Sequence, residues 1–555
     1  RRSAGGRRAP AFSSLMAGWA EGMARTLTRV DAGTEPADGR PIAFLVSTTT
    51  SASGIAQKLG LAAYSYYFAV EALAPVLEAF GTWRLVEHPE SRLAFAAARA
   101  EAEGFRPVHL SVNPLQDAYL SPALPNVLFP FWEFPDVPER DFGFDTRQNW
   151  RRVGRSADLI LTACQFTART FRRSGIETPV AVVPVPLDPE AFALPPWSSS
   201  HSWTLACRHE VLGPERGSDA GPGPEVPRAV DETNPTDLGG RAWSAARAGF
   251  RRVAPRLNPH LVAHLTRLKR GVAKAVRHRP DELVYVALRD GYRNHVRRWL
   301  NPEALDRISA AKRKALALVG REPVVVPDPP LPSADLTLGG DGPVYLTVFN
   351  LGDLRKNYRD VLTAFLLAFA DRPDATLVVK LVTNPLREHH EVGVLRAAYR
   401  ELGIDHACRI VVITEFLSEA QMTELFRVTT YYVNASHAEG ACLPLMRALA
   451  GGRPAIAPVH TAMADYMSAE LGFVLRSSPE PAFWPHDPER RLETFRERIV
   501  WSDLHAAFLD SAAVADHDRP RYDAMASAAR SRLAELASRP AAAQALRDAL
   551  AQLPS

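Results

Sequence analysis

Between Pro343 and Ala457 short apolar runs alternate with helical patterns without interruption, and this regularity constrains the fold more than any other stretch of the chain. The pattern predicts strands at 344–349, 375–382, 410–413, 431–434 and 454–457, with helices at 358–370, 394–402, 419–428 and 443–450 between them. Strands that take turns with helices build a parallel sheet covered on both faces. Ligands of such doubly wound units sit at the carboxyl ends of the strands, so the residues just after each strand are the ones that can carry chemistry.

The same alternation, less regular, opens the chain. An apolar run at 42–46 leads into a small-residue loop containing Gly54, and further runs follow at 108–112, 126–129, 159–163 and 180–183. At 555 residues the chain is too long for one ordinary core. The expected fold class is therefore α/β, with two Rossmann-like doubly wound lobes and a cleft between them. The expected organisation is a disordered or extended lead-in at 1–40, a first lobe on the acceptor side at 41–195, an insertion at 196–340, a second, nucleotide-binding lobe at 341–480 and a helical tail at 481–555.

The insertion reads as flexible at first, rich in Gly, Pro and Ser over 198–226, and then basic. From Arg241 to Arg279 there are eleven Lys or Arg residues and no Asp or Glu, and Leu261, Leu265, Leu268, Val272 and Val276 fall at helical spacing. Such a helix either docks on an anionic membrane surface or packs as a charged helix on its own protein; the apolar stripe alone does not separate the two. Hydrophobic residues make up 46% and charged residues 23%, so large cores can form while the surface stays hydrated. No apolar run reaches the roughly 18 residues of a membrane span, and the opening Arg1-Arg2-Ser3 run lacks the apolar segment of a secretory signal. A cytoplasmic location, peripheral at the inner face of the plasma membrane if the basic helix docks, is the expectation. Cys164, Cys207, Cys408 and Cys442 have no ligand spacing and read as free thiols. The net charge of +4 calls for no nucleic-acid partner.

Two loops hold the candidate chemistry. After the strand ending at Asn434, Ser436-His437-Ala438-Glu439-Gly440-Ala441-Cys442-Leu443-Pro444 leads into a helix closed by Gly451-Gly452. Pro444 fits a helix's first turn and the glycines its end, so unsatisfied amides and the helix dipole face the cleft, where they favour phosphate. The other loop, Asn350-Leu351-Gly352-Asp353-Leu354-Arg355-Lys356-Asn357, also stands between a strand and a helix. Adjacent cations there can neutralise a diphosphate leaving group as its charge develops. Either loop alone also fits an ordinary strand-to-helix turn; together they point to one anionic ligand.

From Val344 to about Ser477 the chain resembles, in order and spacing, the nucleotide-binding lobe of the group 1, family 4 retaining glycosyltransferases, whose two-lobed architecture is GT-B. The matching pieces are Arg355-Lys356-Asn357, Phe365 to Phe369, the strands ending at Lys380 and Ile413, Leu417-Ser418, Ser436 to Leu445 and Ala448 to Ala457. The resemblance implies that Arg355 and Lys356 hold the donor's phosphates and that Glu439 contacts the donor sugar. Asn350, Asn357, His437, Gly440, Ala441, Cys442, Leu443 and Arg447 would complete the donor site. It also implies transfer with retention, the leaving diphosphate helping to deprotonate the acceptor. Two positions depart from the pattern: Arg447 stands where the family has a second Glu for the ribose, and Asn350 where relatives commonly have Arg.

In the first lobe Phe131-Trp132-Glu133-Phe134-Pro135 resembles a Trp-Glu branch of that family associated with bacterial surface polysaccharides. Gly54, Trp132 and Glu133 are the acceptor-side candidates; Glu133 either polarises an acceptor hydroxyl or is a loop carboxylate paired to an Arg. Asp465 and Tyr466 lie where relatives close the donor pocket, or simply end a helix. The function expected is transfer of a sugar from a UDP-, GDP- or dTDP-linked donor to a glycan or lipid-linked acceptor, with no obligatory cofactor or metal, since the two cations replace one. The alternative is a non-catalytic binding or scaffold domain inside a larger protein, motivated by Arg447, Asn350 and the absence of an initiator Met. A nucleotide-sugar epimerase on the same fold fits the donor loop less well.

Overall fold

The computed structural model describes residues 39–49, 64–141, 146–213, 331–340, 342–383, 388–484 and 492–553. The lead-in up to residue 38, Gly54 and the basic stretch from Arg241 to Arg279 lie outside them.

The first sheet contains β1 (Ile42–Ser47), β2 (Gly81–Leu85), β3 (Arg106–Ser111), β4 (Asn126–Leu128), β5 (Leu159–Thr162) and β6 (Val180–Val182). Its order is β2-β1-β3-β4-β5-β6, and every neighbouring pair is parallel. Helices cover both faces, so β1 and β5 are buried along their whole length and show no polar alternation. A buried polar rung crosses the middle of the sheet: the His109 ring sits 2.9 Å from Ser47 Oγ and 3.2 Å from Asn126 Oδ1. Burial pushes that imidazole below its usual range, which keeps it neutral among its partners.

The second sheet contains β7 (Ser202–Leu212), β8 (Ser333–Gly339), β9 (Val344–Phe349), β10 (Thr376–Leu381), β11 (Arg409–Ile413), β12 (Tyr431–Val433), β13 (Ala455–Pro458) and β14 (Gly472–Leu475). Their order is β14-β13-β12-β9-β10-β11-β7-β8. From β9 to β14 the pairs are parallel and the order reverses between β9 and β12, which makes the gap between those two strands the topological switch point. Two doubly wound lobes in one chain are the GT-B architecture. β7 and β8 correct the reading of 196–340 as flexible and then helical: both fall inside that stretch and extend the sheet antiparallel beyond β11. Their outward residues are polar, with Thr204 and Thr337 hydroxyls 2.9 Å apart, so neither strand shows the continuous apolar run of its parallel neighbours.

The tail, expected to be largely helical, opens on strands. β15 (Ser477–Phe483) and β16 (Glu493–Ile499) form an antiparallel hairpin before the helices Trp501–His517, Arg519–Ala537 and Arg539–Leu550 begin. The last helix returns to the first lobe, where Ala542, Ala543, Leu546 and Ala549 share a core with Ile42, Phe44 and Leu73. Small alanines let its backbone lie close to the sheet. Among the described residues no helix is long and apolar enough to cross a membrane.

Candidate functional site

Both cations follow β9 and the acidic loop follows β12, so the switch-point rule places them side by side. The structure does the same. The turn at Leu354–Lys356 is fixed by Asp353, whose carboxylate accepts from the Arg355 amide at 3.2 Å and grips the Arg355 guanidinium at 2.9 and 2.6 Å. Asn350 Oδ1 accepts from the Gly352 amide at 2.9 Å. Asn357 takes a left-handed conformation, φ 49°, to pass from the turn into the Tyr358–Ala368 helix, and its amide donates to Asp360 at 3.0 Å. Asn is among the few non-glycine residues that accept that conformation readily.

Across the switch point, Lys356 Nζ donates to Glu439 Oε1 at 2.6 Å, and Asn434 Nδ2, at the end of β12, reaches the same oxygen at 3.3 Å. The His437 amide donates to the Arg355 carbonyl at 2.8 Å, which ties one loop's backbone to the other. The His437 ring packs against β16: Nδ1 lies 2.8 Å from the Glu497 carbonyl, which only accepts, so Nδ1 carries the proton. Burial pushes this imidazole below its usual range. Lys356 and Gly440 thus share one side of the sheet.

The helix Leu443–Ala450 opens on Cys442, left-handed at φ 63°, whose side chain makes no N-cap hydrogen bond. Cys442 Sγ takes a hydrogen bond from Asn434 Nδ2 at 2.9 Å, and burial holds the thiol protonated. The Ala441 carbonyl accepts from Tyr466 Oη at 2.9 Å, so Tyr466 braces the loop that precedes this helix. Leu443 packs between the cores of the two lobes. Gly452, left-handed at φ 67°, closes the helix.

Arg447 turns away from the cations. Its guanidinium donates to Glu419 at 2.6 Å and Thr423 at 3.0 Å and lies 5.4 Å from the Phe426 ring centre. That triple anchorage holds it on the neighbouring helix, Glu419–Val428.

The first lobe meets this site through the loop after β4. Glu133 forms an ion pair with Arg355. A Cβ at Gly440 would lie 3.3 Å from Phe131 Cβ, 3.5 Å from the Trp132 nitrogen and 3.6 Å from Glu133 Oε2. Trp132 is corrected: its ring is 2% exposed, packs on Trp150 at 4.4 Å and on Trp484 at 5.5 Å, and donates to the Asp136 carbonyl at 3.0 Å, so no face is left for an acceptor. Trp484 comes from the end of β15, and Thr494 in β16 donates to Asp136 at 3.0 Å; the hairpin therefore straps the second lobe to the first. Asp465 ties the same side, accepting at 2.7 Å from the amide of Gln165, the first residue of a first-lobe helix.

The electrostatics follow from crowding. Arg355 and Lys356 bring two positive charges and Asp353, Glu133 and Glu439 three negative ones, a net of −1. Burial opposes each charge, but the carboxylates raise both cations above their ordinary ranges. Asp353 and Glu439 fall below theirs, because the cations outweigh desolvation. Glu133 is held above its ordinary range, first by burial and then by the neighbouring charges of Asp353 and Glu439, against the pull of Arg355 and Lys356.

The sequence missed Asp353, Asn434, Thr461 and His460 as parts of this site. Thr461 Oγ1 accepts from the Glu439 amide at 3.1 Å while its backbone is left-handed at φ 48°, which is costly for a β-branched residue. His460 is buried beside it, its Nδ1 3.2 Å from Thr461 Oγ1, and burial pushes it down to about 4. Asn434, Thr461 and His460 all follow strands β12 or β13, so the strand-end rule could have found them.

No family model matches the chain, and no curated protein sequence does. Solved structures with a similar chain path include Anabaena HepE in complex with UDP, 12% identical over 92% of this chain and 100% of that one, TM-score 0.44. Sucrose-phosphate synthase from Thermosynechococcus elongatus is 12% identical over 93% and 99%, TM-score 0.45. WaaG, a glycosyltransferase involved in lipopolysaccharide biosynthesis, is 11% identical over 93% and 100%, TM-score 0.41.

Proposed function

We propose that this protein transfers a sugar, with retention, from a nucleotide-diphosphate donor to a glycan or lipid-linked acceptor. The observation that carries this reading is the meeting of Lys356 and Glu439 at 2.6 Å across the β9–β12 switch point, beside the N-terminus of the Leu443–Ala450 helix and facing a first-lobe loop. Arg355, Lys356 and the first-turn amides of Leu443–Ala450 suit a diphosphate, which they stabilise as the bond to the sugar breaks. Glu439, fixed by Lys356, Asn434 and Thr461, suits the sugar's hydroxyls. The bond from the anomeric carbon to the diphosphate breaks and a bond to the acceptor oxygen forms on the same face. The acceptor's proton passes to the departing diphosphate. Surface-polysaccharide biosynthesis at the cytoplasmic face of the membrane is the setting in which a lipid-linked acceptor would meet the enzyme.

The test is nucleotide release from a panel of UDP-, GDP- and dTDP-sugars, with Glu439→Ala as the control that abolishes any release seen. Release that survives Glu439→Ala removes the site assignment. A second reading, a non-catalytic binding or scaffold domain with a degenerate donor site, is favoured by the Arg447–Glu419 pair, which occupies the side chain where the family's second carboxylate would act. Absence of both release and binding for every donor supports it.

A further inference from the structure

The two cations of the site are not waiting for a ligand; each is already held by carboxylates. Asp353 takes the Arg355 fork from its own turn, and Glu439 takes Lys356. The third carboxylate, Glu133, comes from the other lobe and reaches Arg355 across the gap. Its second oxygen lies 3.6 Å from where a side chain on Gly440 would begin. The Glu133 carboxylate therefore fills the space between the Arg355 turn and the loop that opens the Leu443–Ala450 helix. That is the space a diphosphate needs if it is to touch both.

Resting on the donor-site reading above, we propose that Glu133 is a carboxylate latch that occupies the donor-phosphate position on Arg355, so that a nucleotide diphosphate enters only by displacing it. With Glu133 in place the cluster carries two positive and three negative charges, and a diphosphate adds further negative charge to it. Like charges at contact in a buried site repel strongly. Withdrawal of Glu133 returns the cluster to balance and exposes the outer edge of the guanidinium. Asp353 stays, because it belongs to the same turn and shapes it. Of the three carboxylates, only Glu133 can leave with the movement of a whole lobe. Glu133 is thus a positioning residue for donor entry, and the same ion pair holds the lobes together when no donor is present. The groups that face it are Arg355, Lys356, Asp353, Glu439 and Tyr66, whose hydroxyl accepts from the Phe131 amide at 3.1 Å two residues away.

The experiment is calorimetric binding of UDP, GDP and dTDP, with uridine, guanosine and thymidine as uncharged controls, to the full chain and to Glu133→Gln and Lys356→Ala. Loss of one competing charge-assisted contact makes Glu133→Gln bind its preferred nucleoside diphosphate about tenfold tighter or more, with nucleoside binding unchanged. Equal diphosphate affinity in wild type and Glu133→Gln, or weaker affinity in the variant, overturns the latch while leaving the donor site standing. A uniform gain for nucleosides and diphosphates alike overturns it too, because a latch acts on phosphate alone. Diphosphate binding that Lys356→Ala leaves untouched, or no binding to any form, overturns the donor-site reading itself. Glu133→Ala, read in the same way, replaces Glu133→Gln if that variant melts below the assay temperature.

Discussion

Lys356→Ala removes the cation that holds Glu439, and the geometry of the pair sets the size of the effect. The two atoms are 2.6 Å apart, with side chains 18% and 6% exposed, and the donor that would remain on the same oxygen is Asn434, at 3.3 Å. Breaking a buried pair from one side costs about 3–5 kcal/mol, mostly because the surviving charge is left without its partner. At roughly 2–4 °C per kcal/mol for a lobe of this size, the melting temperature should fall by about 6–20 °C at pH 8. The pH dependence comes from Glu439. Burial works to raise its pKa, but Lys356 and Arg355 outweigh that and hold it below 4.5. In the wild type this carboxylate therefore contributes stability that is present above its unfolded pKa and lost as the pH falls through its folded one. In Lys356→Ala burial dominates and the folded pKa rises, so the group gains a proton on mild acidification and its penalty is relieved. Scanning calorimetry at pH 8 and pH 5 should show the gap between wild type and variant narrowing toward pH 5. The double variant Lys356→Ala/Glu439→Ala should recover much of the loss. A gap of equal size at both pH values, or a double variant as unstable as the single one, would refute the assignment of Lys356 as the partner that keeps Glu439 ionised.

Three further outcomes are expected. Trp484→Ala empties a site against Trp132 and Trp150 and should cost about 3–5 kcal/mol of hairpin attachment, read as faster hydrogen exchange in 477–483 and 493–499 than in the β9–β13 strands. Arg447→Ala should cost only about 1 kcal/mol in chemical denaturation, because Glu419 is well exposed, and Arg447→Glu should destabilise further by facing one carboxylate with another. Leu546→Ala, in the helix that returns to the first lobe, should cost about 2–5 kcal/mol, seen as an earlier loss of first-lobe protection than of second-lobe protection.

The parts of the fold legible in the sequence are those whose residues report their own surroundings. β9 to β13 are buried on both faces, so Val344, Leu346, Val378 and Val411 declare themselves as unbroken apolar runs. β7, β8, β15 and β16 are antiparallel and half covered, and β15 contains Pro479 and Pro481, residues that argue against a strand except at an edge. Their pairing is set by partners far along the chain, which a local pattern does not carry. The two candidate loops were readable because strand ends are where ligands of such sheets sit, and the structure brings Arg355, Lys356, His437, Glu439 and Gly440 together. Trp132 was misplaced for the opposite reason. A tryptophan on a strand-end loop looks available until Trp484, contributed from 352 positions later in the chain, covers it.

The helix Arg539–Leu550 lends the first lobe a wall of its core that is synthesised hundreds of residues after the sheet it covers. During vectorial translation β1 and β5 leave the ribosome with that face of the sheet open, and they wait through the whole of the second lobe before Leu546 arrives. The core of the first lobe is therefore completed by contacts of very long sequence separation, and it closes only once Arg539–Leu550 has been made, later than the emergence of its own sheet.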